Sequence, residues 1–396
     1  MPTAALATTS LGLALVLAPI AMFAYAYLGY PLLLKLVTRR RVAPRGPTEP
    51  SRWPTISIVV PAYNAERTIG RTIERLLAAD YPADRRQILI VSDGSTDGTD
   101  DVVRGYAGQG VELLQVPRAG KQAAELKARP HVRGEIVVST DASIVVPPEA
   151  IKLLVRHFAD PTVGVVSGRC VSVANHADAT ESTRADGRYL GYEMWVRSME
   201  THLGSAVGAA GGLYASRREV FNSPISWYAT RDFASALIAA ETRLRTIQED
   251  QAVCYVGRSA SIRAEFRRKV RTMVNGLDTT WDFRHQLDPR VAGTFAMMTW
   301  SHKMCRWLVF LLAPLAIVGL LLLAPQYVAA RALLALAALG ILTGWRSVHL
   351  AERGKLPTVL ALSAYAVVTA SAGALAWLHF FRRRHATTWE PTRRTA

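Results

Sequence analysis

The apolar residues of this 396-residue chain are massed at its two ends and leave a polar middle. Residues 11–37 carry a single charge, Lys35, and three more apolar runs cover 307–324, 326–345 and 357–381. A helix crosses the hydrocarbon of a bilayer with about 17–25 apolar residues, so each run is long enough. An N-terminal transmembrane anchor is therefore expected at 1–37 and transmembrane helices within 305–381. A cleaved signal peptide is the rival for the first run, but no basic segment precedes it and its length exceeds a signal-peptide core. The break at Pro325 makes the second and third runs a helical hairpin.

Charge gives the runs a direction. Arg39, Arg40, Arg41 and Arg45 follow the first run in a basic linker at 38–53, and Arg346, Arg353 and Lys355 separate the last two. Basic loops stay in the cytoplasm, which places the linker and the middle of the chain there. The last run then poses a conflict, because crossing would carry the basic tail at 382–396 to the opposite side. A re-entrant or interfacial last segment, or a tail that breaks the rule, are both open. The net charge of +16 is concentrated beside the apolar runs, as at Arg382, Arg383 and Arg384. That distribution suits anionic membrane lipid; elsewhere bases interleave with acids, so no nucleic-acid partner is expected. Cys170, Cys254 and Cys305 show no short pairing. They argue against a disulfide framework or zinc cluster and are expected as small buried hydrophobes.

Residues 54–260 read as an α/β domain. A β-branched run at 56–60 ends at Pro61, and residues 66–77 place Ile69, Ile73 and Leu76 or Leu77 on one helical face. A second strand at 88–91 closes in the turn Ser92-Asp93-Gly94-Ser95, with Asp97 expected to cap the next helix. Further strands are expected at 111–116 and 136–139. Strand and helix alternating at this pitch imply a mostly parallel sheet, which binds ligands at the carboxyl ends of its strands. Tyr63 with Asn64, Asp93, Arg118 with Lys121, and Asp141 should then gather on one edge. Each alone could be an ordinary turn residue. Together, two aspartates and a lysine suit a ligand that carries a base and phosphates. At 261–304, Phe266, Val270 and Met273 have helical spacing among many cations, as an interfacial helix would. Tyr189, Tyr192 and Trp195 read as core or membrane-interface packing.

Taken in order, Pro61-Ala62-Tyr63-Asn64-Ala65-Glu66, Val91 through Thr99, Thr140-Asp141-Ala142-Ser143, Gly211-Gly212-Leu213-Tyr214-Ala215, Asp232-Phe233 and the tail Trp389-Glu390-Pro391-Thr392 resemble the inverting family 2 glycosyltransferases. The likeness is to the membrane-anchored branch of cellulose-, chitin- and hyaluronan-synthase-like enzymes. It implies a GT-A-type nucleotide-diphosphosugar transferase domain at 54–260, cytoplasmic, on a bacterial inner (plasma) membrane, with an acceptor-side segment at 261–304. It further implies transfer of a hexosyl or N-acetylhexosaminyl group from a nucleotide-diphosphate sugar, with uridine favoured by Asp93 and guanosine open, to a glycan or lipid-linked acceptor. By the same resemblance Pro61, Ala62, Tyr63 and Glu66 line the nucleotide pocket, and Asp93 accepts the imide hydrogen of uracil. Lys121 faces ribose and diphosphate, and Asp141 begins the DxD element that binds donor and a divalent cation, Mg²⁺ or Mn²⁺. Asp232 falls at the catalytic base, with a plainer role as cap of its own helix also open. Gly211 and Gly212 form the acceptor floor, and Arg271 stands in an acceptor-gripping Gln-x-x-Arg-Trp element.

That pattern is broken in three places. Ser143 replaces the second DxD carboxylate and is a weaker cation ligand. Arg231 replaces a glutamate and puts a cation next to the proposed base. Arg268 and Thr272 stand where the grip element has Gln and Trp, which favours addition of one or a few sugars over a long chain. A sugar-phosphate or nucleotidyl transferase would share the cleft without needing Asp232. A transporter is disfavoured by the few charges within the apolar runs. A non-catalytic nucleotide-sugar-binding protein is kept open by Ser143 and Arg231.

Overall fold

The computed structural model describes residues 2–39, 49–173, 181–257, 261–351 and 357–385. Arg40 to Arg45 of the basic linker, Arg353 and Lys355, and the Trp389-Glu390-Pro391-Thr392 motif lie outside the described residues. The middle of the chain builds one eight-stranded sheet: β1 (Ile56–Ala62), β2 (Arg86–Asp93), β3 (Val111–Val116), β4 (Ile136–Thr140), β5 (Ile144–Val145), β6 (Val163–Val173), β7 (Leu213–Arg217) and β8 (Arg245–Gly257). Its order is β3-β2-β1-β4-β7-β6-β8-β5. The helices are α1 (Pro2–Ala24), α2 (Tyr30–Thr38), α3 (Glu66–Leu77), α4 (Thr99–Arg104), α5 (Lys121–Ala128), α6 (Ala150–Val155) and α7 (Glu181–Leu203). They continue as α8 (Arg218–Asn222), α9 (Arg231–Glu241), α10 (Ile262–Asp282), α11 (Pro289–Thr299), α12 (Cys305–Leu323), α13 (Val328–Ala351) and α14 (Thr358–Phe381).

The first four strands pair in parallel, as their spacing implies. Their β-branched residues are buried on both faces, with Ile58, Val59, Val60 and Val138 fully so. Helix α3 covers one face through Ile69, Ile73 and Leu76, each buried. Every such side chain taken from water contributes about 1.5–3 kcal/mol. The second half of the sheet is mixed. β7 runs antiparallel to both β4 and β6, β6 is parallel to β8, and β5 is antiparallel to β8. The repeat breaks because the 23-residue α7, not a short crossover, intervenes between β6 and β7.

Among the described residues four segments are long and apolar enough to cross a membrane: Leu6–Thr38, Pro289–Leu323, Val328–Ala351 and Thr358–Phe381. The second starts upstream of the expected position because α11, which kinks at Gly293, leads through a π turn (Trp300–Met304) into α12. α1 and α12 lie together, with Gly12 against Leu323 and Gly319 against Leu15 and Val16. Where this pair meets the polar domain, a buried ionic cluster ties α7 to α2, to the π turn and to the start of α12. Glu193 accepts from His302 (2.9 Å) and Lys303 (2.6 Å) on one oxygen and from Arg306 (2.6 Å) on the other. Glu200 takes the Tyr30 hydroxyl (2.6 Å), faces the second ring nitrogen of His302 (2.7 Å), and accepts the Val207 N–H (3.0 Å). The Arg306 guanidinium also lies over Tyr27 and Tyr192 at 5.3 and 5.2 Å, so the Tyr189 segment serves interface packing.

Candidate active site

The turns after β1, β2 and β3 are knitted into one edge. Asn64 Oδ1 accepts the Thr96 N–H (2.9 Å), and Glu66 accepts that of Gly98 (3.3 Å). Asp97 accepts from Thr99 at the start of α4 (3.1 Å) and from Glu66 at the start of α3 (3.3 Å), so it serves two helix amino termini rather than one. Asp93 is buried at the end of β2. Its carboxylate takes the N–H groups of Ala119 and Gly120 at 2.8 to 3.1 Å and pairs with Arg118. Gly120 reaches it with φ near +98°, a conformation that a side chain would strain. The Arg118 guanidinium lies 3.5 Å from the centre of the Tyr63 ring. Pro61 and Ala62 are buried at the end of β1.

Lys121 opens α5, and its ammonium donates to Asp141 Oδ1, just after β4, at 2.6 Å. Burial opposes the charge on Lys121, but Asp141 and Glu125 outweigh it and hold the ammonium above the ordinary lysine range. Asp232 adds to the same pull. Lys121 and Asp141 therefore meet as the strand-end argument implies, and Asp232, which that argument did not include, is near enough for its charge to reach them. Asp232 lies in the first turn of α9, where its carboxylate accepts the Phe233 N–H at 2.9 Å. Thr230 holds the cap position of that helix, so capping by Asp232 is not observed. A Cβ on Gly211 would stand 2.6 Å from Asp232 Oδ2, closer than any real contact. Gly211→Ala is expected to displace that carboxylate and lower turnover about 100-fold. Donor affinity should be unchanged, which steady-state kinetics and a donor-binding isotherm would separate.

Arg231 is buried and turns from the base. It donates to the Ser223 carbonyl (3.1 Å), its guanidinium lies 5.4 Å from the Phe221 ring, and among the described residues no hydrogen bond or ion pair joins it to Asp232. Its charge is felt by Glu125, a buried carboxylate that sequence reasoning missed. Burial pushes Glu125 up to about 7, against the pull of Lys121 and Arg231. A carboxyl raised in this way stabilises the fold in its protonated form, fully below about 4.5 and no longer once pH has risen through about 7. Glu125→Gln, neutral throughout, should flatten the fall in thermal midpoint between about pH 5 and 7.5. A calorimetric pH series on both proteins checks this. Gly212 closes the floor over two free thiols, Cys170 and Cys254, whose sulfurs lie 3.3 Å apart on adjacent strands. Arg271 is half-buried on α10. Among the described residues no group of three or more His, Cys, Asp or Glu gathers for a metal. A cation at Asp141 would thus draw most of its oxygen ligands from a bound diphosphate.

A parallel half-sheet with a lysine and carboxylates at its strand ends, joined to a mixed half, is the GT-A-like fold of nucleotide-sugar transferases. A mannosyltransferase from Pyrobaculum calidifontis, solved with GDP-mannose and Mn²⁺, shares the fold with a TM-score of 0.70, at 24% identity over 93% of this chain and 99% of that one. Residues 57–221 match the family model for glycosyl transferase family 2. The chain therefore carries a glycosyl transferase family 2 domain over these residues, flanked by helices long and apolar enough to cross a membrane. A β-monoglucosyldiacylglycerol synthase of Synechocystis is 34% identical over 32% of this chain and 27% of its own length. An N-acetylglucosaminyltransferase of Mesorhizobium japonicum is 27% identical over 46% of this chain and 43% of its own. The chain thus spans less than half the length of these relatives. They support the family, without singling out the cellulose-, chitin- and hyaluronan-synthase-like branch.

Proposed function

We propose that this protein transfers a glycosyl group, with inversion, from a uridine-diphosphate sugar to a lipid-linked or glycan acceptor at the cytoplasmic face of a bacterial inner membrane. The observation that carries the reading is the convergence of the Lys121–Asp141 ion pair and Asp232 beside the bare backbone of Gly211. Asp232 takes the proton of the acceptor hydroxyl as its oxygen bonds to the anomeric carbon and the bond to the diphosphate breaks on the opposite face. Lys121 offsets the charge that grows on the leaving diphosphate. Asp141 would hold Mg²⁺ or Mn²⁺, which when bound neutralises further diphosphate charge. Pro61, Ala62, Tyr63, Glu66 and Asp93 are assigned to the nucleotide, and Gly211, Gly212 and Arg271 to the acceptor. A diacylglycerol-directed relative supports the lipid acceptor, and basic residues beside the apolar segments support the cytoplasmic face.

The test is release of nucleoside diphosphate by the protein in lipid, across UDP- and GDP-sugars with each cation, with diacylglycerol, polyprenyl phosphate or oligosaccharide as acceptor. Turnover with a UDP-sugar supports the full reading. Turnover with a GDP-sugar alone overturns the uridine assignment to Asp93. Binding of no nucleotide sugar sinks the proposal.

A further inference from the structure

Helix α14 meets α10 along its length. Lys269 of α10 donates to the hydroxyl of Tyr365, early in α14, at 3.0 Å. Val270, Met273, Val274 and Leu277 then pack with Ala372, Ala376 and Trp377. At the end of α10, Trp281 meets Phe380 edge-on at 6.1 Å. The two helices run side by side in one direction over about 15 residues, or roughly 22 Å. α10 carries Arg263, Arg267, Arg268, Lys269 and Arg271, and a helix so charged does not lie across hydrocarbon. A helix strapped along it shares its orientation.

The α12–α13 hairpin gives the same answer independently. Had α14 crossed the bilayer after α13, its last turns would reach the far end of α12, near Leu323. Instead the Trp377 indole donates to the Trp307 carbonyl (2.8 Å), and Phe310 fills the space that a Cβ on Gly373 would need. Residue 377 thus abuts the first turn of α12, the end at which Arg306 reaches Glu193. The early turns of α14 abut the last two turns of α13, through Ser363 on Ser347 and Val367 on Gly344. Both halves of α14 therefore touch the catalytic-side ends of the hairpin. The cluster at its far end is made by α1, α12 and α13. Past α14 the chain turns back onto the polar domain. The His385 ring stacks on Tyr228 at 4.1 Å, and its Nδ1 lies 2.8 Å from Asp278.

We propose that α14 does not span the membrane but lies in its interfacial plane across the α12–α13 hairpin, and that the basic tail from Arg382 onward sits on the same face as the catalytic domain. Exposed Val359, Leu362, Leu378 and Phe381 then meet acyl chains, while Arg382, Arg383 and Arg384 meet anionic headgroups. The conflict with the charge rule disappears. The inference rests on α1, α12 and α13 crossing, and not on the reaction.

The test is sidedness. Arg384→Cys is placed in a Cys305→Ser background, where the remaining thiols are buried, and treated with a membrane-impermeant maleimide in vesicles of each orientation. Gln109→Cys marks the catalytic face and Gln326→Cys the α12–α13 turn. Arg384→Cys is expected to react at least about tenfold faster from the Gln109→Cys face. Faster reaction from the Gln326→Cys face, or equal reaction from both, overturns the proposal. Should the variant fail to accumulate, antibody binding to a carboxyl-terminal epitope tag, added from either face, gives the same two outcomes. Because labelling reads position, an inactive protein with this sidedness would count against the transferase reading alone.

Discussion

Asp232→Asn is expected to lower the rate of sugar transfer by about 10³-fold while leaving the dissociation constant of the donor within about twofold. The amide keeps the shape of the carboxylate and fits the same space beside Gly211, but it cannot take the acceptor's proton. The Phe233 N–H that now donates to Oδ1 at 2.9 Å can donate to the amide oxygen, so the first turn of α9 is preserved. The effect should therefore fall on kcat, and the thermal midpoint should move little. Single-turnover kinetics with saturating donor isolates the chemical step. Equal loss of donor affinity and turnover would place Asp232 with the donor and remove it from the role of base. Because Arg231 turns toward Ser223 and Phe221, Arg231→Glu, which restores the family's residue, tests the neighbour separately. It puts a second carboxylate near buried Glu125 in place of a cation, and its larger effect should be on stability.

How much of this was legible depended on whether a residue's partners lay near it in sequence. β1 to β4 and α3 could be read because their burial follows from β-branched runs and a local helical period. Asp93, Lys121 and Asp141 could be placed on one edge because strand ends in a parallel sheet converge whatever the detailed packing. Glu125 could not be found, since a lysine and a glutamate four apart on a helix ordinarily form a solvated pair. Only tertiary packing turns that pair inward. α7 showed no clear apolar face because its inward positions include Glu193 and Glu200, and apart from Arg197 one turn on, the cations that justify burying Glu193 lie 109 or more residues away, from His302 onward. Cys170 and Cys254, 84 residues apart, looked unrelated for the same reason. α14 is apolar all round, so its sequence states an affinity for lipid and nothing about its tilt.

Glu193→Gln is expected to produce the largest loss of stability of any single change at the junction, about 3–5 kcal/mol. One carboxylate there serves His302, Lys303 and Arg306, with Arg197 a further 3.4 Å contact, and all but the partly exposed Lys303 are buried. A neutral amide would leave these cations with Glu200 as the remaining anion, bonded on the other side of His302. Burial alone would raise the Glu193 carboxyl, but His302, Lys303 and Arg306 hold it well below the usual carboxylate range. A carboxyl depressed in this way stabilises the fold above about pH 4.5, and that contribution is lost as pH falls from there through its folded value. Wild-type protein in nanodiscs should thus lose thermal midpoint steeply on acidification, and Glu193→Gln should start lower and fall less. Glu193→Gln combined with Arg306→Gln should recover part of the loss, because the uncompensated guanidinium goes with its partner. Strict additivity of the two changes would mean that the pair is not coupled. Since Glu200 also fixes the Val207 N–H, four residues before Gly211, loosening of this junction should raise the acceptor KM before it affects donor binding.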